Sequence, residues 1–304
     1  MSKFDLRNFP KQNGRTAIVT GANSGLGFET TLAFASKGIT TIMACRNLEK
    51  AEEAKQKILK QVPEAQLDII QIDLSKLKSV REFAEKFLSQ YNRLDLLINN
   101  AGVMMPPYQK TEDGFELQMA ANYFGHFLLT GLLIEILTDT KDSRVVSLSS
   151  IAHKNAEIDF KDLQSEKNYS KFKAYGQSKL ACLLFAKELD RRLKSFSKGN
   201  TKSIAAHPGA SNTELSRHIP KWLSIVLSPI LFLVSHSAEN GAKPIILAAL
   251  NKDIKGGDYF GPTGFMEMKG EPGIAEVKPQ AEEVANRLWR VSENLTNINY
   301  LNRP

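Results

Sequence analysis

Cysteine is scarce in this chain of 304 residues, with Cys45 and Cys182 the two present, each inside an apolar run. Two such residues build no disulfide framework, so a reducing compartment is expected. No long block of like charge occurs, although Lys and Arg outnumber Asp and Glu 40 to 33 and the formal charge is +7. The excess is spread along the chain, which argues against a nucleic-acid partner and suits a solvated surface. The opening MSKFDLRNFPKQNGR has no apolar stretch of the kind a signal peptide needs. A secretory leader is therefore not expected, and a cytoplasmic setting is. Without a leader, the sequons Asn168-Tyr169-Ser170 and Asn294-Leu295-Thr296 carry no weight. No group of His, Cys, Asp or Glu has metal-ligand spacing, so no metal is expected. Internal repeats, low-complexity tracts and linkers are also missing. The chain is read as one domain, with a cofactor half at about 14–150 and a catalytic and substrate half at about 151–304.

What is present is a regular alternation. Apolar runs at Thr16–Thr20, Ile39–Ala44, Leu67–Ile72, Leu94–Ile98, Arg144–Leu148 and Ser203–Ala206 read as strands. Between them, Leu26–Lys37, Leu48–Gln61, Lys76–Tyr91, Asp113–Thr138 and Phe172–Leu193 read as helices, and Val284–Val291 as a last amphipathic one. Strands and helices in such alternation predict an α/β fold, a doubly wound parallel sheet of Rossmann type covered on both faces.

The first strand runs into a loop with glycines at 21, 25 and 27, and the loop opens into a helix. Helical N–H groups and the helix dipole there favour an anion, and glycines let backbone approach phosphate. Gly21, Asn23, Ser24, Gly25, Leu26 and Gly27 are the candidate cradle. The spacing G-x-x-x-G-x-G differs from the commonest dinucleotide fingerprint, with the same mechanics. After the second strand, the run Thr40–Asn47 (TTIMACRN) contains no acid and one arginine, Arg46. An acid there would take the ribose 2′-hydroxyl of NAD, whereas a basic residue takes the 2′-phosphate of NADP. NADP is therefore expected over NAD. Asp73, with Leu74 beside it after the third strand, either touches the adenine or caps the following helix. Asn99-Asn100-Ala101-Gly102 ends the fourth strand, at the crevice edge where ligands of such sheets sit.

Tyr175 and Lys179 lie four apart at the start of a helix, and so on one face. A phenol near pKa 10 is a poor base, and a neighbouring ammonium favours its charged form. The pair suits proton exchange in an alcohol/carbonyl interconversion. Ser149 and Ser150 end the fifth strand. Because a strand alternates faces, only one of them points into the site.

Together these residues resemble the short-chain dehydrogenases/reductases. Thr20-Gly21-x-x-x-Gly25-x-Gly27, Asn99-Asn100-Ala101-Gly102, Asn122, Ser150, Tyr175-x-x-x-Lys179 and Pro208-Gly209 occur in that family's order over about residues 14–250. Ala44-Cys45-Arg46-Asn47, Gly125-His126-Phe127-Leu128-Leu129-Thr130, Asp162-Leu163-Gln164-Ser165-Glu166 and Gln177-Ser178-Lys179-Leu180-Ala181 look like its retinol-dehydrogenase-like group. Ser150 precedes Tyr175 by 25 residues, against about thirteen in the usual family pattern, and the longer 153–173 segment is itself typical of that group. The resemblance implies Tyr175 as acid–base and Lys179 as its partner, holding the nicotinamide ribose. Ser150 orients the substrate oxygen, and Asn122 supports a water-linked proton path to Lys179. Asn100, Ala101 and Gly102 would line the cofactor cleft, with Pro208, Gly209 and Thr213 by the nicotinamide. The group implies NADP and a small hydrophobic alcohol, aldehyde or ketone; an NADP-linked pool usually drives reduction, so reduction is the expected cellular direction.

The stretch IPKWLSIVLSPILFLV, residues 219–234, is very apolar with Pro229 inside it. A wall of a hydrophobic substrate pocket, a peripheral membrane contact and a membrane span are the alternatives, in that order. The uninterrupted run falls short of the ~20 residues a span requires. His126 and His153 are read as structural, and His207 as packing against the cofactor end. Gly125 and Gly131 permit close helix contact within the domain or across a homodimer or homotetramer. The family's oligomers favour the second. An oxidoreductase is expected; a non-catalytic cofactor-binding sensor or scaffold is the alternative, disfavoured by the intact set of Ser150, Tyr175, Lys179 and Asn122.

Overall fold

The computed structural model describes residues 3–196, 200–210, 237–277 and 282–301. Thr213 and the apolar 219–234 stretch lie outside the described residues. The central strand β1 (Thr16–Thr20) is buried along its whole length, which is why it reads as a continuous apolar run rather than an alternating one. It pairs in parallel with β2 (Thr40–Cys45) on one side and β4 (Leu96–Asn99) on the other. Outward from these lie β3 (Leu67–Gln71) and β5 (Arg144–Leu148), then β6 (Lys202–Ala206), β7 (Tyr259–Pro262) and β8 (Pro272–Ile274). The sheet order is β3-β2-β1-β4-β5-β6-β7-β8, parallel except for the antiparallel edge strand β8. Strand order reverses between β1 and β4, and a crevice opens there beyond the strand C-termini.

Alternation along each strand divides the core in two. Ile18, Ile42, Leu97 and Val145 point to one face, among Phe83, Phe87, Phe127 and Leu184. Ala17, Val19, Met43, Leu96, Ile98 and Val146 point to the other, among Phe34, Ile58 and Ile245. The first face is covered by α3 (Leu77–Gln90), α5 (Gly125–Leu132), α7 (Lys171–Leu193) and α9 (Glu282–Thr296); the second by α1 (Gly25–Ser36), α2 (Leu48–Leu59) and α8 (Ala238–Leu250). Among the described residues no helix is long and apolar enough to cross a membrane.

The helix expected over Asp113–Thr138 is broken into pieces. It begins only at α4 (Leu117–Met119), because Gly114 takes φ +85° and Asp113 turns away to accept the Leu77 N–H at the start of α3. A π-helical turn, Ala120–Phe124, follows before α5, and a second break at Leu133 precedes α6 (Ile134–Asp139). The expected dimer role of Gly125 and Gly131 is also corrected. A Cβ on Gly125 would stand 2.3 Å from the Leu74 carbonyl oxygen, and one on Gly131 2.6 Å from the Tyr300 ring. Both close approaches are made within the chain.

Candidate active site

The glycine loop joins β1 to α1 and forms one wall of a cleft of about 320 Å³. Gly21 and Gly25 adopt φ +67° and +53°, a region that disfavours side chains. A Cβ on Gly27 would stand 2.2 Å from the Gly21 carbonyl oxygen and 2.7 Å from Asn100 Nδ2, so Gly27 lets the helix pack onto its own loop. Ser24 precedes the helix without capping it through its side chain, which leaves the first-turn N–H groups facing the cleft. Gly21, Asn23, Ser24, Gly25, Leu26, Arg46, Asp73, Leu74, Asn100, Ala101 and Gly102 all line this one cleft. Gly27 lies beneath it rather than on its wall. Asp73 does not cap α3; its carboxylate accepts from the Ser75 N–H and hydroxyl.

Asn47 and Lys50 also line the cleft beside Arg46. Sequence reasoning missed both. Their signal was positional: Asn47 caps α2 by accepting the Lys50 N–H at 2.8 Å, which turns the Lys50 side of the first helical turn back toward the strand ends.

A buried relay shapes the opposite wall. Thr20 Oγ1 accepts the N–H groups of Asn100 and Ala101, both at 2.9 Å. It also meets His126 Nε2 at 2.9 Å, and His126 Nδ1 lies 2.9 Å from the Asn122 carbonyl. That carbonyl can only accept, so the His126 proton sits on Nδ1 and Nε2 is left as an acceptor for the Thr20 hydroxyl, whose one proton the Ile98 carbonyl at 3.2 Å also faces. Burial lowers the ring to about 4, so it stays neutral and the assignment is stable at neutral pH. His126 is structural, as its sequence context suggests, and its specific task is to orient Thr20 toward the Asn100–Ala101 turn.

Asn122 occupies the π-helical turn. Its Oδ1 accepts the Val103 N–H at 2.7 Å, and its Nδ2 donates to the Val103 carbonyl at 3.0 Å and to Ser178 Oγ at 2.9 Å. The side chain thus ties the segment after Gly102 to α7. Lys179 on α7 is 6% exposed and donates to the Leu148 carbonyl at 3.1 Å. Its ammonium stands 5.9 Å from the Tyr175 ring centre, and 3.6 Å from where a Cβ on Gly102 would be. Tyr175 is also buried, one turn before Lys179. The serine pair separates as a strand end must: Ser149 is buried and donates to the Lys179 carbonyl at 2.8 Å, whereas Ser150 is half-buried and accepts the Ala152 N–H at 3.2 Å. Pro208 and Gly209 follow β6. Gly209, at φ +71°, backs onto the Met268 carbonyl, 2.3 Å from where its Cβ would be.

A cleft at the sheet's switch point, an uncapped helix N-terminus and a buried tyrosine–lysine pair whose ammonium lies beside the Gly102 segment of that cleft suit a dinucleotide and proton exchange. The short chain dehydrogenase model matches residues 15–224. This chain belongs to the short-chain dehydrogenase family. Human retinol dehydrogenase 13 is 42% identical over 292 residues, covering 94% of this chain and 85% of that protein. Mouse retinol dehydrogenase 14 is 41% identical over 304 residues, covering 94% and 87%. A crystal structure of an uncharacterized protein from Mycobacterium paratuberculosis is 36% identical and covers 98% of this chain and 99% of its own, with a TM-score of 0.81. The Pseudomonas aeruginosa RhlG/NADP active-site complex, 23% identical with a TM-score of 0.64 over 82% and 94% of the two chains, shares the fold. The protein is thus an oxidoreductase of the retinol-dehydrogenase-like subgroup, in a family that uses NAD(P).

Proposed function

We propose that this enzyme uses NADP(H) to interconvert a hydrophobic alcohol and its aldehyde or ketone, and that it runs as a reductase in the cell. The observation that carries the cofactor choice is Arg46 and Lys50 standing together in the cleft at the end of β2, where an NAD enzyme of this fold places an acid. Asn23, Ser24, Gly25 and Leu26 would hold the pyrophosphate at the α1 N-terminus, and Asn100, Ala101 and Gly102 the middle of the molecule. Pro208, Gly209 and Thr213 would border the nicotinamide. When bound, the cofactor supplies the hydride.

The chain supplies a proton and a position. The Tyr175 hydroxyl gives its proton to the substrate oxygen in the reductive direction and takes it back in the oxidative one. Lys179 places a positive charge on the same helical face and reaches the Gly102 segment, where the ribose would lie. Ser150, with its hydroxyl at the half-buried end of β5, donates to the same substrate oxygen and fixes its direction. Asn122 keeps α7 and the Gly102 segment in register and would support a water-linked proton path to Lys179.

The retinol dehydrogenase names of the relatives suggest a long apolar alcohol or aldehyde as substrate. We read the chain as a single cytoplasmic domain, assembled as a homodimer or homotetramer, with residues 219–234 as a wall of the hydrophobic substrate pocket and, as the second reading, a peripheral membrane contact. Light scattering and vesicle co-sedimentation test those two points. The deciding experiment is NADPH consumption against hydrophobic aldehydes, including retinaldehyde, together with ketones and quinones. Tyr175→Phe is run alongside. Turnover that Tyr175→Phe abolishes supports the reading; turnover that survives it removes Tyr175 from the chemistry.

A further inference from the structure

Behind Ser150 and the Pro208–Gly209 turn lies a second cluster of ionisable side chains, away from the cofactor cleft. Its centre is Glu267. One carboxylate oxygen, Oε2, stands 2.9 Å from the Lys154 ammonium and 3.3 Å from Nε2 of the fully buried His207. The other, Oε1, accepts the Glu276 N–H at 2.8 Å. Lys154 belongs to the short turn Ile151–Asn155 that starts at Ser150, and His207 directly precedes Pro208. One side chain therefore reaches both the segment that would orient the substrate oxygen and the segment that would border the nicotinamide.

Three further observations mark the arrangement as built. The Gly209 N–H points at His207 Nδ1 at 3.2 Å, so the ring proton sits on Nε2 and faces Glu267. The His207 ring occupies the space a side chain on Gly261 would need, with Nε2 1.9 Å from the missing Cβ. Met266 and Glu267 both adopt left-handed backbone, φ 51° and 56°, a strained pair for residues other than glycine. The strained turn also receives the Ala210 N–H on its Met268 carbonyl at 2.8 Å. Burial alone would push the Glu267 carboxyl up. Lys154 and the Glu276 amide lead the contacts that outweigh it and hold the group below its usual value. Burial keeps the His207 ring neutral. At neutral pH the cluster is a carboxylate between one ammonium and one neutral imidazole N–H.

We infer that Glu267 is a positioning residue that locks the Ser150 turn to the Pro208–Gly209 turn, so that substrate oxygen and hydride donor keep one spacing. This deepens the proposed function and rests on it. The adenosine end of the cleft lies elsewhere, so loosening the lock should spare cofactor affinity while slowing the chemical step.

The test compares wild type, Glu267→Gln, Lys154→Met, the double variant and Lys154→Arg. With a carbonyl substrate from the panel above, each of Glu267→Gln and Lys154→Met should lower kcat about tenfold, with the Kd for NADPH within about threefold of wild type. The double variant should be no slower than the slower single one, and Lys154→Arg should recover most of the loss. Amide hydrogen exchange, which needs no turnover, should speed about tenfold at both His153 and Ala210 in Glu267→Gln. Unchanged kcat, multiplying losses in the double variant, or exchange that rises at one turn alone would overturn the inference. Wild type without turnover on any substrate would count against the proposed function instead, and exchange would still decide the lock. If Glu267→Gln does not fold, Lys154→Met carries the same readouts.

Discussion

The two ends of the crevice are assembled over different ranges of sequence. At the glycine-loop end, the residues that meet are short-range neighbours or lie on adjacent strands. Gly27 packs on Gly21 and Asn100, and Asn47 caps the helix that carries Lys50. At the Pro208–Gly209 end, the partners come from separate parts of the chain. Gly209 rests on Met268, Ala210 bonds to Met268, and Lys154 and His207 both meet Glu267. The first end is a motif; the second is a junction. A motif carries its own geometry wherever the chain goes, whereas a junction exists only once the strands β6, β7 and β8 are paired.

That contrast predicts different failures from the same substitution. Gly27→Ala puts a methyl group 2.2 Å from a backbone oxygen of the anion loop. The loop must open, and the Kd for NADPH should rise about 10- to 100-fold, from roughly 1–3 kcal/mol of overpacking. Gly209→Ala meets both a left-handed φ and the Met268 carbonyl. There the main loss should be in kcat, about tenfold, with Kd changed less than about threefold. Fluorescence titration with NADPH and steady-state rates separate the two. If Gly209→Ala weakens binding as much as Gly27→Ala does, the ends are not distinct in function.

A smaller effect sharpens the picture within the glycine-loop end. Arg46→Ala should raise the Kd for NADPH about tenfold and leave NADH nearly untouched, since a charge-assisted contact from an exposed arginine is worth about 1.5 kcal/mol. Adding Lys50→Ala should widen the gap further. Equal weakening of both cofactors by Arg46→Ala would remove the basis for NADP preference.

The same contrast explains what could be read before the structure. Six strands, the glycine loop and the Tyr175–Lys179 pair were legible because each is written in local apolar runs or fixed spacings. The residues proposed for the cofactor from Gly21 to Gly102 do converge on one cleft, apart from Gly27, whose glycine serves packing. The helix expected at Asp113 starts late because Asp113 is drawn away to α3, a contact across 36 residues that no local pattern announces. Strands β7 and β8 were not foreseen, since Gly261, Pro262, Pro272 and Gly273 read as breakers until Gly261 is seen to make room for His207 and β8 to lie at an edge. Glu267 had no sequence signal at all. Its partners are residues 154, 207 and 276.

The crevice can finally be set against the opposite edge of the same strands, where no ligand is expected. Asp95, 1% exposed, sits at the start of β4. Its carboxylate accepts the Thr16 N–H at 2.9 Å, two Arg93 bonds at 2.7 Å and Arg15 Nε at 3.2 Å. Asp95→Asn keeps the shape and removes the charge, and should cost about 1–3 kcal/mol of stability without moving the Kd for NADPH. Burial pushes the Asp95 carboxyl up, but the Arg93 hydrogen bonds, the Thr16 amide and Arg15 prevail and hold it below the ordinary value of 3.8. A depressed folded-state pKa stabilises above the unfolded value, about 3.9, and that stabilisation fades as pH falls through the folded one. Urea unfolding should therefore show wild type well above Asp95→Asn at neutral pH, with the gap closing as the pH drops below about 4. A gap that stays constant down to acid would mean that the carboxylate's charge contributes nothing and that only its hydrogen-bond geometry matters at this edge.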